Sequence, residues 1–212
     1  MGKETPANRQ QMRSRIAHLA ARMIAEDGIS DYGLAKRKAA RQAGAPDSRN
    51  LPTNLEIEET LRSYQQLYQA DEQPERVQRL REVAVEIMRL LAQFNPYLTG
   101  AVLSGSAGRH ADVHLQVYTD SVKDLEIFLH NRQVPFRTRE VRVWIGDSDE
   151  LVPDLVLSTA EADVHVTVLS SNHRRQPLRL SLDGRPLERA PLESVETLLA
   201  AGSPIASVLP NP

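Results

Sequence analysis

The spacing of apolar residues changes period near Pro96, and that change constrains the fold of this chain more than any other feature. Before it, apolar side chains recur every three to four positions. Ile16, Leu19, Ala20 and Met23 do so within 13–28, which Gly28 can end. Residues 29–44 repeat the pattern in a shorter, more basic form that stops at Gly44. Thr53 and Glu56 have capping-box spacing ahead of Ile57, Leu61, Tyr64 and Tyr68. After a break at 71–74, Val77, Leu80, Ala84, Ile87 and Leu91 make an apolar stripe that Pro96 terminates. Beyond it the period is two. Residues 97–105, 111–119, 136–146, 152–158 and 163–170 read as strands, and Asp183-Gly184 as a hairpin turn. Helices interrupt them at 121–133, capped by Asp120 or Ser121, and at 191–202. A helical first part followed by strand-rich chain predicts an α+β protein with a mixed sheet and flanking helices.

Composition closes off several classes of function. Aromatic residues are 4% of the chain, too few for a stacking platform, and the net charge is −2, so no global field draws it to nucleic acid or membrane. With no cysteine, thiol chemistry and cysteine zinc sites are excluded, which suits a reducing cytoplasm. Residues 1–15 lack a signal-peptide apolar core, Pro6 breaks the myristoylation pattern, and no run has membrane-spanning length. The expected organisation is a helical region over 1–72, an α+β domain over 73–200, and a loosely ordered tail over 201–212.

The chemistry concentrates in 103–120. Gly105-Ser106 follows an apolar run, and Asp112-Val113-His114 then alternates as a strand does. A strand-end Gly-Ser allows backbone N–H groups to approach phosphate oxygens, and the serine hydroxyl adds a donor. Asp112 and His114, two residues apart, share one strand face. Carboxylates so placed can hold Mg²⁺ across the phosphates of a nucleoside triphosphate. Asp163 is the first candidate for a third carboxylate and Asp154 the second. Arg109 and His110 lie in the intervening loop, where they can meet phosphates or stand in solvent. Plainer roles are a tight turn for Gly105, a cap for Ser106 or Asp112, and half-exposed strand positions for His114 and His165.

These residues in this order resemble the nucleotidyltransferase fold, the palm-like core shared by DNA polymerase beta and the minimal nucleotidyltransferases, over roughly residues 75–170. They are also similar to bacterial proteins with a Gly-Ser (or Gly-Thr), Ala-Gly-Arg-His, Asp stretch. The resemblance implies a transferase of nucleotidyl groups that binds a metal–nucleoside triphosphate and an acceptor. Gly105, Ser106, Arg109 and His110 would bind the nucleotide, Asp112, His114 and Asp163 the metal, and Asp112 and Asp163 would be catalytic. Two departures bear on activity. The family has Asp-x-Asp or Asp-x-Glu where this chain has Asp112-x-His114, and only Ala107 to Ala111 separate Gly-Ser from the first Asp. Mg²⁺ prefers oxygen ligands, whereas a histidine favours Mn²⁺ or Zn²⁺. The expectation is therefore a weakly active or degenerate member, with a non-catalytic scaffold or regulatory module as the alternative.

A third reading comes from 13–46, which resembles the opening of TetR-type helix-turn-helix repressors. Residues 1–50 carry ten Lys and Arg against five Asp and Glu, a local +5 in a chain of −2. Such asymmetry suits phosphate contact. The strand-rich second half and the segment "PDSRNLP" depart from that family.

Overall fold

The computed structural model describes residues 6–29, 32–45, 51–68, 72–146, 148–176, 178–179 and 187–202. Three helices come first, α1 (Pro6–Asp27), α2 (Tyr32–Gln42) and α3 (Asn54–Tyr68). The capping box at the start of α3 is formed. Glu56 N–H donates to Thr53 Oγ1 at 3.2 Å, and Thr53 N–H donates to the Glu56 carboxylate at 2.6 Å. These helices enclose a core of small residues, with Ala17, Ala20, Ala21, Ala35, Ala39 and Ala40 around Ile16, Ile57 and Leu61. Small side chains let the helix backbones approach closely, so little apolar volume serves three helices.

The second part is α4 (Glu72–Leu90), β1 (Tyr97–Thr99), α5 (Gly100–Ser104), β2 (Val113–Tyr118), α6 (Val122–Asn131), β3 (Arg137–Ile145), β4 (Ser148–Ser158), β5 (Asp163–Leu169), β6 (Leu178–Arg179), β7 (Arg189–Pro191) and α7 (Leu192–Gly202). The fold is α+β. Among the described residues, seven strands form one sheet in the order β6-β3-β4-β5-β2-β1-β7, in which β2 and β5 run parallel and the other neighbours antiparallel. Period-two alternation places Leu98, Val113, Leu115, Val117, Leu155, Leu157, Val164, Val166 and Val168 on one face. They are buried there with Leu80, Ala84 and Met88 of α4, Leu125 and Leu129 of α6, and Val195 of α7. Each buried Leu or Val removes apolar surface worth roughly 1.5–3 kcal/mol from water.

No helix of that core covers the other face, and the sheet curls over it. Tyr118 of β2 packs in one cluster with Leu178 of β6, although three strands lie between theirs. The two edges also meet. Leu187 N–H donates to the Leu178 carbonyl at 2.7 Å, and Arg189, two residues on, begins β7, the opposite edge of the sheet. The uncovered face is therefore concave.

Several sequence expectations are corrected. The strand expected over 97–105 stops at Thr99, where Gly100, at φ 73, turns the chain into α5. α1 begins at Pro6, well before residue 13. Glu72, Gln73 and Pro74 start α4 instead of breaking the chain, since proline is tolerated where the first-turn N–H groups have no helical acceptor. β4 is longer than expected and begins at Ser148. Strands β1 and β2 do pair as neighbours, with Gly105 to His110 in their connection. The Asp183-Gly184 turn and all but the first two residues of the 201–212 tail lie outside the described residues. Among the described residues, no helix is long and apolar enough to cross a membrane.

Candidate functional site

Parallel pairing of β2 with β5 sets His114 opposite His165, and antiparallel pairing of β5 with β4 sets Thr167 opposite Asp154. Asp154 in turn faces Arg139 of β3. All five side chains stand on the concave face, with Asp112 at the entry to β2. His165 lies between two carboxylates. Its Nδ1 is 3.1 Å from Asp154 Oδ2, and its Nε2 is 3.5 Å from Asp112 Oδ2. Asp154, 1% exposed, also accepts from Arg139 Nε at 2.8 Å and from Thr167 Oγ1 at 3.1 Å. The His114 and His165 rings stack with centroids 4.9 Å apart and planes 17° from parallel. Arg137, two residues before Arg139 on the same face of β3 and well exposed, pairs with Asp163 at 3.3 Å.

The carboxylates and the two histidines divide the protons unequally. The hydrogen bond to Asp112, then the one to Asp154, raise the His165 pKa to about 9, so the ring is an imidazolium at neutral pH. Burial, and then the charge of His165 beside it, push His114 down to about 4, so that ring is neutral. Asp112 is held below the usual carboxylate range chiefly by its hydrogen bond from His165. Burial acts to raise Asp154, but the hydrogen bonds from His165 and Arg139 together outweigh it and hold it low. Arg139 Nη2 also lies 3.0 Å from His165 Nδ1. A guanidinium can only donate, so that nitrogen serves either Asp154 as a donor or Arg139 as an acceptor. Two carboxylates on one ring favour the protonated form, in which Nδ1 donates to Asp154.

Charge then decides what the cluster can hold. Two carboxylates, one imidazolium and one guanidinium sum to zero. Mg²⁺ binding needs uncompensated carboxylate oxygens, and here a cation already stands between them. As arranged, these residues do not suit the metal expected at Asp112, His114 and Asp163. Among the described residues, no group of three or more His, Asp or Glu is placed to hold a metal ion.

The sequence-predicted residues fall into two sets. Asp112 and His114 reach the cluster, while Asp163 lends it a backbone N–H to Asp112 and turns its carboxylate to Arg137. Asp154, the second choice for a third carboxylate, stands beside His165. Gly105 and Ser106 stand at the carboxyl end of α5. Gly105 has φ 79, and both N–H groups donate to the Ala101 carbonyl. The Ser106 carbonyl accepts from Gln65 Nε2 at 2.9 Å, and Gln73 Nε2 donates to the Gly105 carbonyl. Ser106 Oγ is hydrogen-bonded to Ser104 Oγ at 2.9 Å. The loop is thus clasped by α3 and α4, and also by α1. A Cβ on Gly28 would lie 2.8 Å from the Cβ of His110. Arg109 and His110 are exposed.

Nothing in the local sequence pattern distinguishes Arg139. Its signal was available only as one polar position in the alternating run of β3, and strand register alone shows that it faces Asp154. No protein-family model, no curated protein and no solved structure matches this chain.

Proposed function

We propose that the protein is a nucleotide-binding module of nucleotidyltransferase type that has lost metal-dependent transfer. The order of elements supports the type. A helix precedes an antiparallel strand pair, an Asp-led strand follows a Gly-Ser loop, and neighbouring strands supply further polar groups to the same concave face. The position of His165 carries the loss of transfer. Its imidazolium bridges Asp112 and Asp154 and takes the charge that Mg²⁺ would neutralise. Arg137 and Arg139, each more than half exposed at the mouth, supply the cations that phosphates require. Gly105 and Ser106 act by fixing the loop that leads to Asp112. A cytoplasmic setting belongs to the same proposal, because nucleoside triphosphates are made there and the chain carries no cysteine.

The test is calorimetric titration of the native protein with each nucleoside triphosphate, with and without Mg²⁺. The expected result is saturable binding that Mg²⁺ changes by less than about threefold, under 1 kcal/mol, with no nucleotidyl transfer. The His165→Asp variant frees the carboxylates and should make binding depend on Mg²⁺. Robust Mg²⁺-dependent transfer by the native chain overturns the proposal. Absence of nucleotide binding in both proteins puts the scaffold reading first.

A further inference from the structure

We propose that Arg174 and Arg189 form a binding site for the phosphate group of a small phosphorylated ligand, at the opposite end of the concave face from Asp112. From His114, the member of the His165 cluster that shares β2 with it, Tyr118 is four residue steps away, about 13 Å at the usual rise of a strand. The site is therefore separate from the cluster around His165 and does not rest on the nucleotide reading.

Two guanidinium groups meet there on one aromatic ring. Arg189 Cζ lies 5.1 Å from the Tyr97 ring centroid and 5.3 Å from that of Tyr118. Arg174 Cζ lies 5.9 Å from the same Tyr97 ring, and its Nη2 donates to Tyr97 Oη at 2.9 Å. Arg189 donates to Tyr118 Oη and to the Arg174 carbonyl, which ties the two residues together. Tyr118 Oη in turn donates to Gln116 Oε1 at 3.0 Å, and Tyr97 and Tyr118 pack edge to face at 5.9 Å. Both arginines are thereby held in place before any ligand arrives.

Neither has a carboxylate to answer its charge among the described residues. Asp120 is engaged by Ser170 Oγ and Ser171 N–H, each at 3.0 Å, and Glu150 faces His173 at 3.8 Å. Ring faces offset part of the repulsion between adjacent guanidiniums but leave most of their N–H donors unused. Arg174 is exposed and Arg189 half-buried, so an anion can reach both. A phosphate monoester fits this pair better than a carboxylate, because its near-dianionic charge balances two guanidiniums and its three free oxygens can accept from both forks.

The experiment is calorimetric titration of the full chain with inorganic phosphate and with glycerol phosphate at constant ionic strength. Saturable one-site binding is expected. The Arg174→Gln variant should weaken it by about tenfold or more, as loss of a charge-assisted hydrogen bond does. Arg62→Gln, on the exposed face of α3, should leave it unchanged. Arg189→Gln should act like Arg174→Gln. If it unfolds by circular dichroism, the exposed Arg174 decides alone. Tighter binding of the ester than of the free ion identifies the source of the phosphate. The inference is overturned if neither anion saturates or if Arg174→Gln binds as the native chain does.

Discussion

At the scale of single residues, the two stacked histidines make stability depend on pH in opposite directions. His114 titrates near 4 in the folded chain and His165 near 9, against 6.5 for an ordinary histidine. Between pH 6.5 and 4 the unfolded chain takes up a proton that folded His114 refuses, so stability falls with acid. Between pH 6.5 and 9 folded His165 keeps a proton that the unfolded chain releases. Its contribution, complete below pH 6.5, is lost as pH rises through 9. Each limb amounts to on the order of 3 kcal/mol at most, and the pair places maximum stability near pH 6.5. Urea unfolding across pH 4–10 checks this. His165→Gln should flatten the alkaline limb and His114→Gln the acid limb. An alkaline limb unchanged by His165→Gln would remove His165 as its cause.

Among the elements, the basic helices of the first part invite a nucleic-acid reading that their contacts weaken. Arg13 is tied to Glu56 by two hydrogen bonds of 2.6 and 2.7 Å, and Arg22 pairs with Glu26 at 2.7 Å. The solvent face of α2 keeps Arg37, Lys38 and Arg41 exposed. Three such cations neutralise few phosphates, and each phosphate contact contributes a salt-sensitive step of affinity. Nonspecific duplex DNA is therefore expected to bind more weakly than about micromolar near physiological salt. Fluorescence anisotropy with a labelled promoter-length duplex measures it, and submicromolar, salt-sensitive binding would promote the repressor reading. Element type and ends were largely legible here. The Thr53–Glu56 box and the stop at Gly44 are local chemistry. α5 was hidden because five residues are too few to show a helical period.

For the whole molecule, the joint between the helical region and the sheet rests on the loop from Gly105 to His110. Gly28 permits that approach, at φ 69 and with no Cβ to strike His110. Gly28→Ala combines a left-handed backbone with a 2.8 Å collision and should cost about 1–3 kcal/mol. The loss should appear as a lower midpoint in thermal unfolding, together with faster amide exchange at Ser106 and Ala107, whose carbonyls lie under Gln65 and Gln73. An unchanged midpoint and unchanged exchange would show that the joint does not depend on this contact.

The sequence alone determined what local spacing can encode. It placed the change from helical to strand period, the capping box, the apolar stripe of α4, and Asp112 with His114 on one strand face, because each depends on neighbours a few residues apart. Tertiary structure decided the rest of the site. Asp154, Arg139 and His165 belong to three strands, and only the register of β3, β4 and β5 brings them together. The stack of His114 on His165 needs the parallel pairing of β2 with β5, across 51 residues of chain. That register is chosen by burying Val113, Leu115, Val164 and Val166 on the opposite face. The polar cluster is thus positioned by hydrophobic side chains that never touch it, a coupling that no local pattern of residues could display.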